Sequence, residues 1–223
     1  MARTVDPVAH SQRREAYLDA AQRIIQTKGY EALSIQDVLA ATGTSKGAFY
    51  HYFTGKPALL DAIVARMVDA AAAQLAPAGG SALDRLDGVF AGLATFKAGQ
   101  KDLIVAMVKV WMSDENAVMR EHFRRRAIAA LTPPLAEIIR QGADEGVFDV
   151  ADPDATAGVF AAMVLGANDA ATALIGQHAT YEQVIDRLGA FGTAFERVLG
   201  AAPGALRFDR RLATVREWFD AIA

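Results

Sequence analysis

Apolar residues return at three- and four-residue intervals along almost the whole of this chain, while the two-residue alternation of a half-buried strand is scarce. That spacing predicts an all-α fold. The cleanest run is Tyr181, Val184, Ile185, Leu188, Phe191, Phe195, Val198 and Leu199. Capping residues divide the remainder into helices. A first helix is predicted from about Gln12 to Lys28, with Gly29 as its stop. Ser34, followed three residues later by Asp37, opens a second in a capping-box-like arrangement, and Gly43 closes it. Thr44 or Ser45 caps a third over residues 46–53, and Pro57 suits the first turn of a fourth. Ala-Pro-Ala-Gly-Gly-Ser at 76–81 marks a boundary. Beyond it, helices are expected around Leu83–Leu93, Leu103–Trp111, from Ala117 onward, from Asp152-Pro153 to about Ile175, and over Asp209–Ile222. Thr132-Pro133-Pro134 is expected to kink or restart the helix that begins near Ala117.

Residues 34–53, SIQDVLAATGTSKGAFYHYF, form the most informative block. A capped short helix, a glycine-containing turn and a second short helix make the layout of a helix-turn-helix, whose second helix enters the DNA major groove. Lys46 sits at the N-terminus of that second helix, where unpaired N–H groups and the helix dipole favour anionic backbone or guanine edges. Gly47 and Ala48 are small enough to let the backbone approach bases. Tyr50, His51 and Tyr52 offer hydroxyl and imidazole donors to phosphate oxygens, and Lys56 follows. Phe49 and Phe53, four apart and without a polar tip, are assigned to the core. Arg3, Arg13 and Arg14 form either an arm that reaches a minor groove or a solvated tail.

This block resembles the signature of the tetracycline-repressor (TetR) family of transcriptional regulators. The matching positions are Ser34, Ile35, Val38, Leu39, Thr42, Gly43, Thr44, Ser45, Lys46, Gly47, Phe49, Tyr50, Tyr52, Phe53, Lys56 and Leu59. Gly29-Tyr30-Glu31-Ala32-Leu33 looks like the family's loop between its first two helices. The sharp resemblance covers about residues 12–65; a weaker one continues to the end, where Gly142 to Phe148 followed by Asp152-Pro153-Asp154 looks like the loop before the family's dimerisation helices. His51 departs from the commoner tyrosine, and Gly55 and Pro57 depart from polar and acidic residues; the last two bear on how the fourth helix starts. The resemblance implies an N-terminal DNA-binding domain over 1–56 and a helical effector-binding and dimerisation domain over 57–223. It further implies that Ser34, Ser45, Lys46, Gly47, Tyr50, His51, Tyr52 and Lys56 contact a double-stranded operator. Base readout would fall on Lys46, Gly47 and Ala48. The protein would be a repressor released by a small effector, and a homodimer through the helices at 153–176 and 181–200.

The body offers candidates for the effector site. Met107, Trp111, Met112, Met119 and Phe123 gather around one helix junction, and Phe160, Met163, Asn168 and Asp169 lie on a later helix. Large polarisable side chains with a few polar groups suit an apolar or aromatic ligand. Asn168 and Asp169 interrupt an apolar helix and need partners, so they bind a ligand, bond across a dimer or face water.

The net charge of −3 argues weakly against nucleic acid, but the first 75 residues carry about +1 and the rest about −4. The motif, not the charge, carries the DNA reading. The chain has 0 cysteines, so no disulfide framework or thiolate metal site is expected. The four histidines are scattered, and Glu121-His122 point to different faces of a helix. No catalytic or phosphate-binding motif occurs, hence neither an enzyme, a metal site nor a cofactor is expected. The first fifteen residues lack an apolar run, and no stretch approaches about 18 uninterrupted apolar residues, so a cytoplasmic protein without membrane segments is expected. Competing readings are a helical interaction protein of the same fold without specific DNA binding, and a regulator, activators included, that lacks a small effector.

Overall fold

A computed structural model describes residues 7–73, 79–112, 117–208 and 215–222. Among these residues there are ten α-helices and no strand: α1 (Pro7–Lys28), α2 (Ile35–Thr42), α3 (Lys46–Tyr50), α4 (Lys56–Ala73), α5 (Ala82–Gly99), α6 (Lys101–Met112), α7 (Ala117–Asp144), α8 (Pro153–Gly176), α9 (Tyr181–Leu199) and α10 (Val215–Ile222). Arg3, Asp209 and the 76–78 part of the expected boundary lie outside the described residues.

Local chemistry sets most helix ends. Ser34, Ser45, Ser81, Asp152 and Thr180 each accept a backbone N–H as N-caps, satisfying donors that a helix start leaves unpaired. Gly43 closes α2 in the left-handed conformation at φ 63°, which only glycine adopts without a Cβ penalty. Two boundaries differ from the sequence expectation. The first helix begins at Pro7, a residue suited to a first turn, and α3 ends at Tyr50 rather than Phe53.

At the prolines the restart alternative is corrected, because α7 runs unbroken through Pro133 and Pro134. Each proline withholds a backbone donor, but Leu131, Leu135, Ala136, Ile138 and Ile139 on both sides of the pair are buried in the main core. Packing along three neighbours, α4, α5 and α8, overrides the local cost.

The apolar residues divide into two cores. The first is built on Tyr17, Leu18, Ile25, Val38, Phe49 and Phe53, and it recruits Leu59, Leu60, Ile63 and Val64 of α4 with Leu103 and Met107 of α6. The second gathers α5, α7, α8 and α9 around Leu86, Leu135, Phe160 and Phe195. Helix α8 is long and apolar enough by length and composition to cross a membrane, with a mean hydropathy of 1.5 over its most apolar window. Only 22% of that window is buried within the chain.

Candidate functional site

The N-terminal core fixes the geometry of the α2–α3 pair. Tyr17 packs edge-on to Phe49 at 5.4 Å and to Phe53 at 6.1 Å, and Tyr52 joins the cluster at 5.5 Å. Phe49 is completely buried, so α3 presents a defined opposite face to solvent. The turn between the helices is braced from within: the Gly43 and Thr44 N–H groups both donate to the Leu39 carbonyl, and the Thr42 and Thr44 hydroxyls share a 2.8 Å hydrogen bond. The Ser45 hydroxyl then accepts from the Ala48 N–H at 3.2 Å and starts α3.

The residues singled out from the sequence lie around this outer face. Ser34, Ser45, Lys46, Gly47, Tyr50 and His51 are exposed, while Thr44, Ala48, Tyr52 and Lys56 are half-buried. Tyr50 is 45% exposed, unusual for a large ring in a helix that is otherwise anchored. At Gly47 an added Cβ would meet nothing nearer than the Ser45 hydroxyl at 4.0 Å. Nothing among the described residues therefore demands glycine there.

Tyr52 and Lys56 have partners within the chain. The Tyr52 ring stacks on His10 of α1 at 4.5 Å. The Lys56 ammonium donates to the Tyr30 carbonyl at 3.0 Å and stands 4.1 Å from the centre of that ring, a cation–π contact. Burial pushes the Tyr30 hydroxyl above its usual pKa, and Glu31 adds to the shift. Lys56 thus pins the first residue of α4 to the loop between α1 and α2. Farther along, Arg66 of α4 pairs with Glu15 at 3.1 Å and Asp19 at 2.6 Å, both on α1. Of the basic arm, Arg13 is exposed on α1, and Arg14 pairs with Glu15 at 3.1 Å.

The other face of α4 is tied to the body. Arg126 of α7 grips Asp69 with two hydrogen bonds of 3.2 and 2.6 Å, and His122 lies 3.7 Å from Asp61. One turn away, on a different face of α7, a groove of about 360 Å³ opens between α7 and α8, lined in part by Phe123, Arg120, Arg124, Leu165, Asp169 and Thr172. Of the effector-site candidates, the groove brings together Phe123 and Asp169. Met107 is instead buried in the first core, Phe160 in the second, and Met163 packs against the second. The side chains of Trp111, Met112 and Met119 lie outside the described residues. Asn168 and Asp169 are both exposed, so neither is a buried polar group in need of a partner, and Asn168 accepts from the Lys97 ammonium of α5 at 2.7 Å.

The two arginines of the groove escaped the sequence reading. Arg120 and Arg124 are spaced to share one face of α7, which was a visible signal, but what they face depends on how α7 meets α8. Desolvation raises the Asp169 carboxyl above its usual range, and Arg124, Arg120 and Lys97 oppose that rise. Desolvation lowers the Lys97 ammonium, with Asp169 opposing. Among the described residues no cluster of three or more His, Cys, Asp or Glu side chains could hold a metal ion.

Known proteins match this arrangement at both ends of the chain. A family model for bacterial regulatory proteins of the tetR family matches residues 18–63, and one for the tetracyclin repressor-like C-terminal domain matches residues 82–188. Together they cover more than half of the chain. Residues in the N-terminal part are 39% identical over 62 positions to YvdT of Bacillus subtilis, an uncharacterized HTH-type transcriptional regulator, covering 28% of this chain and 32% of that protein. The HTH-type transcriptional repressor ComR of Escherichia coli is 39% identical over 61 residues, 27% of this chain and 29% of its own. These curated matches span about a third or less of each relative's length. Over the whole fold, the crystal structure of a TetR-family regulator from Rhodococcus sp. superposes with a TM-score of 0.55 at 25% identity, covering 82% of this chain and 99% of the other. With the helix-turn-helix at one end and the repressor-like helical body at the other, the chain belongs to the tetR family of transcriptional regulators, which are DNA-binding proteins and not enzymes.

Proposed function

We propose that the protein is a cytoplasmic, dimeric repressor that binds a palindromic operator and leaves it when a small effector enters the body. The observation that carries this reading is the outer face of α3. Lys46, Gly47, Tyr50 and His51 are all exposed on a helix held rigidly from behind by Phe49. Lys46, Gly47 and Ala48 read base edges, and Ser34, Thr44, Ser45, Tyr50, His51 and Tyr52 position the backbone. Lys56 serves the same surface by fixing where α4 begins.

Dimerisation runs through α8 and α9. Ala155, Val159, Ala162, Gly166 and Ala170 recur at helical spacing on α8, none of them belongs to the second core, and Val159 is 53% exposed. A small, apolar, uncovered face on a long helix supports close contact with a second copy. Two reading helices would then sit about one DNA turn apart, roughly 34 Å, or a multiple of it.

In functional terms, residues 1–56 form the reader and 57–223 the body, with α4 as the lever between them. Its ties to α1 through Arg66, to the loop through Lys56 and to α7 through Asp61 and Asp69 make it move with whatever displaces α7. An effector that favours the displaced form lowers operator affinity by a coupling of about 1–3 kcal/mol. The test is selection of duplexes from random DNA by the purified protein, followed by salt titration of the winner. A palindromic site bound far more tightly than scrambled DNA is expected. Weak binding alike on all duplexes, abolished by modest salt, would leave only backbone attraction and favour an interaction protein of the same fold.

A further inference from the structure

We propose that Gln22 is a positioning residue for DNA binding: its side-chain amide ties the α5–α6 junction of the body to Arg66 of α4, so that the body sets the angle of the reader through α1 and not through α4 alone. The consequence at DNA rests on the role proposed above for α3.

Arg66 lies along one stripe of α1. Its guanidinium pairs with Glu15 at 3.1 Å and Asp19 at 2.6 Å, and it donates to the side-chain carbonyl of Gln22. These partners follow one another at four- and three-residue spacing, as residues on one helix face do. An arginine has donors and no acceptor, so the Gln22 oxygen must face it and the amide nitrogen must point elsewhere. That nitrogen donates to the side-chain oxygen of Gln100 at 3.3 Å. Gln100 stands between α5 and α6, and its backbone carbonyl accepts from the Ile104 N–H at 3.0 Å in the first turn of α6. Leu103 and Met107, further along the same face, are buried in the first core. Their apolar contact holds α6 against α1 but is non-directional. The Gln22–Gln100 hydrogen bond supplies the direction. On the body's side, the adjacent Lys101 pairs with Glu217 of α10 at 2.7 Å, and α10 packs on α8 and α9. The junction is thus held by the reader at one residue and by the body at the next. A hydrogen bond between half-buried neutral amides contributes little to overall stability, because water takes the place of a lost partner. Its loss should loosen the angle without unfolding the chain.

Variants at Gln100 test this without touching the reader. Gln100→Leu removes the acceptor, and Gln100→Glu keeps an oxygen for Gln22. Affinity of the full chain for its selected duplex is expected to fall about tenfold in Gln100→Leu and to stay at the wild-type value in Gln100→Glu. The urea midpoint and the slope of affinity against salt should be unchanged in both. Adding Gln100→Leu to Gln22→Met should cost nothing further. Undiminished binding by Gln100→Leu, an equal loss in Gln100→Glu, or additive losses in the double variant would each overturn the proposal. A second readout needs no DNA. The chain has 0 cysteines, so spin labels can be placed at Gln26→Cys on α1 and Ala94→Cys on α5, both exposed. Their distance distribution, with labelled chain diluted in unlabelled, should broaden in Gln100→Leu and not in Gln100→Glu. An unchanged distribution would also overturn the proposal. A wild-type chain that prefers no duplex would instead remove the operator reading, and the spin-label distances would still decide whether Gln22 orients the reader.

Discussion

The two cores solve the same packing problem to different degrees. The N-terminal one sets two short helices of 8 and 5 residues against the longer α1, α4 and α6, and it closes completely: Tyr17, Phe49 and Phe53 are sealed inside, and exposed polar or small side chains cover the outer face of α3. The second core has helices of 18 to 28 residues and far more apolar surface, yet it leaves much of α8 open. The reader ends at its polar surface, whereas the body ends at an apolar one, and an apolar end implies that something else completes it.

The largest expected effect strikes the closed side of this comparison. Phe49→Ala removes the ring on which α3 rests and should cost about 3–5 kcal/mol, read in urea unfolding, with specific DNA binding lost and far-ultraviolet helicity of the body largely kept. Loss of all helicity together would mean that the two cores form one cooperative unit. Next comes the open side. If α8 forms the proposed interface, Val159→Glu places like charges across it and should weaken dimerisation about a hundredfold by sedimentation equilibrium, without lowering monomer stability. An unchanged dimer would move the interface off this face of α8.

Smaller effects sharpen the division within the reader. Lys46→Ala should relax sequence preference in a fresh duplex selection. Lys56→Met, which releases α4 from Tyr30, should weaken every duplex by about tenfold while the slope of affinity against salt stays the same. A slope reduced by about one would reassign Lys56 to a direct phosphate contact. Smallest of all is Tyr17→Phe. The Tyr17 hydroxyl is buried without a hydrogen-bond partner among the described residues, so its removal should be neutral or stabilise by up to about 1 kcal/mol in the same urea experiment. A loss instead would show that the hydroxyl has found a partner in solution.

The same contrast explains what could be read from the amino acids alone. The helix-turn-helix is written in short-range chemistry: Ser34 and Ser45 cap helices whose first turns they adjoin, and Gly43 supplies its own left-handed turn. Those interactions span three or four residues, so spacing alone reveals them. The groove is different, because Arg124 and Asp169 are 45 positions apart and meet only once α7 and α8 pack. Lys97 and Asn168 are separated by 71 positions. The restart expected at Pro133-Pro134 did not occur for the same reason in reverse, since a local signal lost to contacts made by distant helices.

Leu103 and Met107, which reach back from α6 into the first core, bear on how such regulators can be rebuilt. A gene fusion that spliced this reader to another sensor at residue 56 would strip away Leu59, Leu60, Ile63 and Val64 as well as those two, leaving the aromatic cluster half uncovered. On the proposed reading of α3, its DNA specificity is better transplanted by rewriting the exposed positions of that helix in place. The boundary of what reads DNA and the boundary of what can stand alone are different lines on this chain.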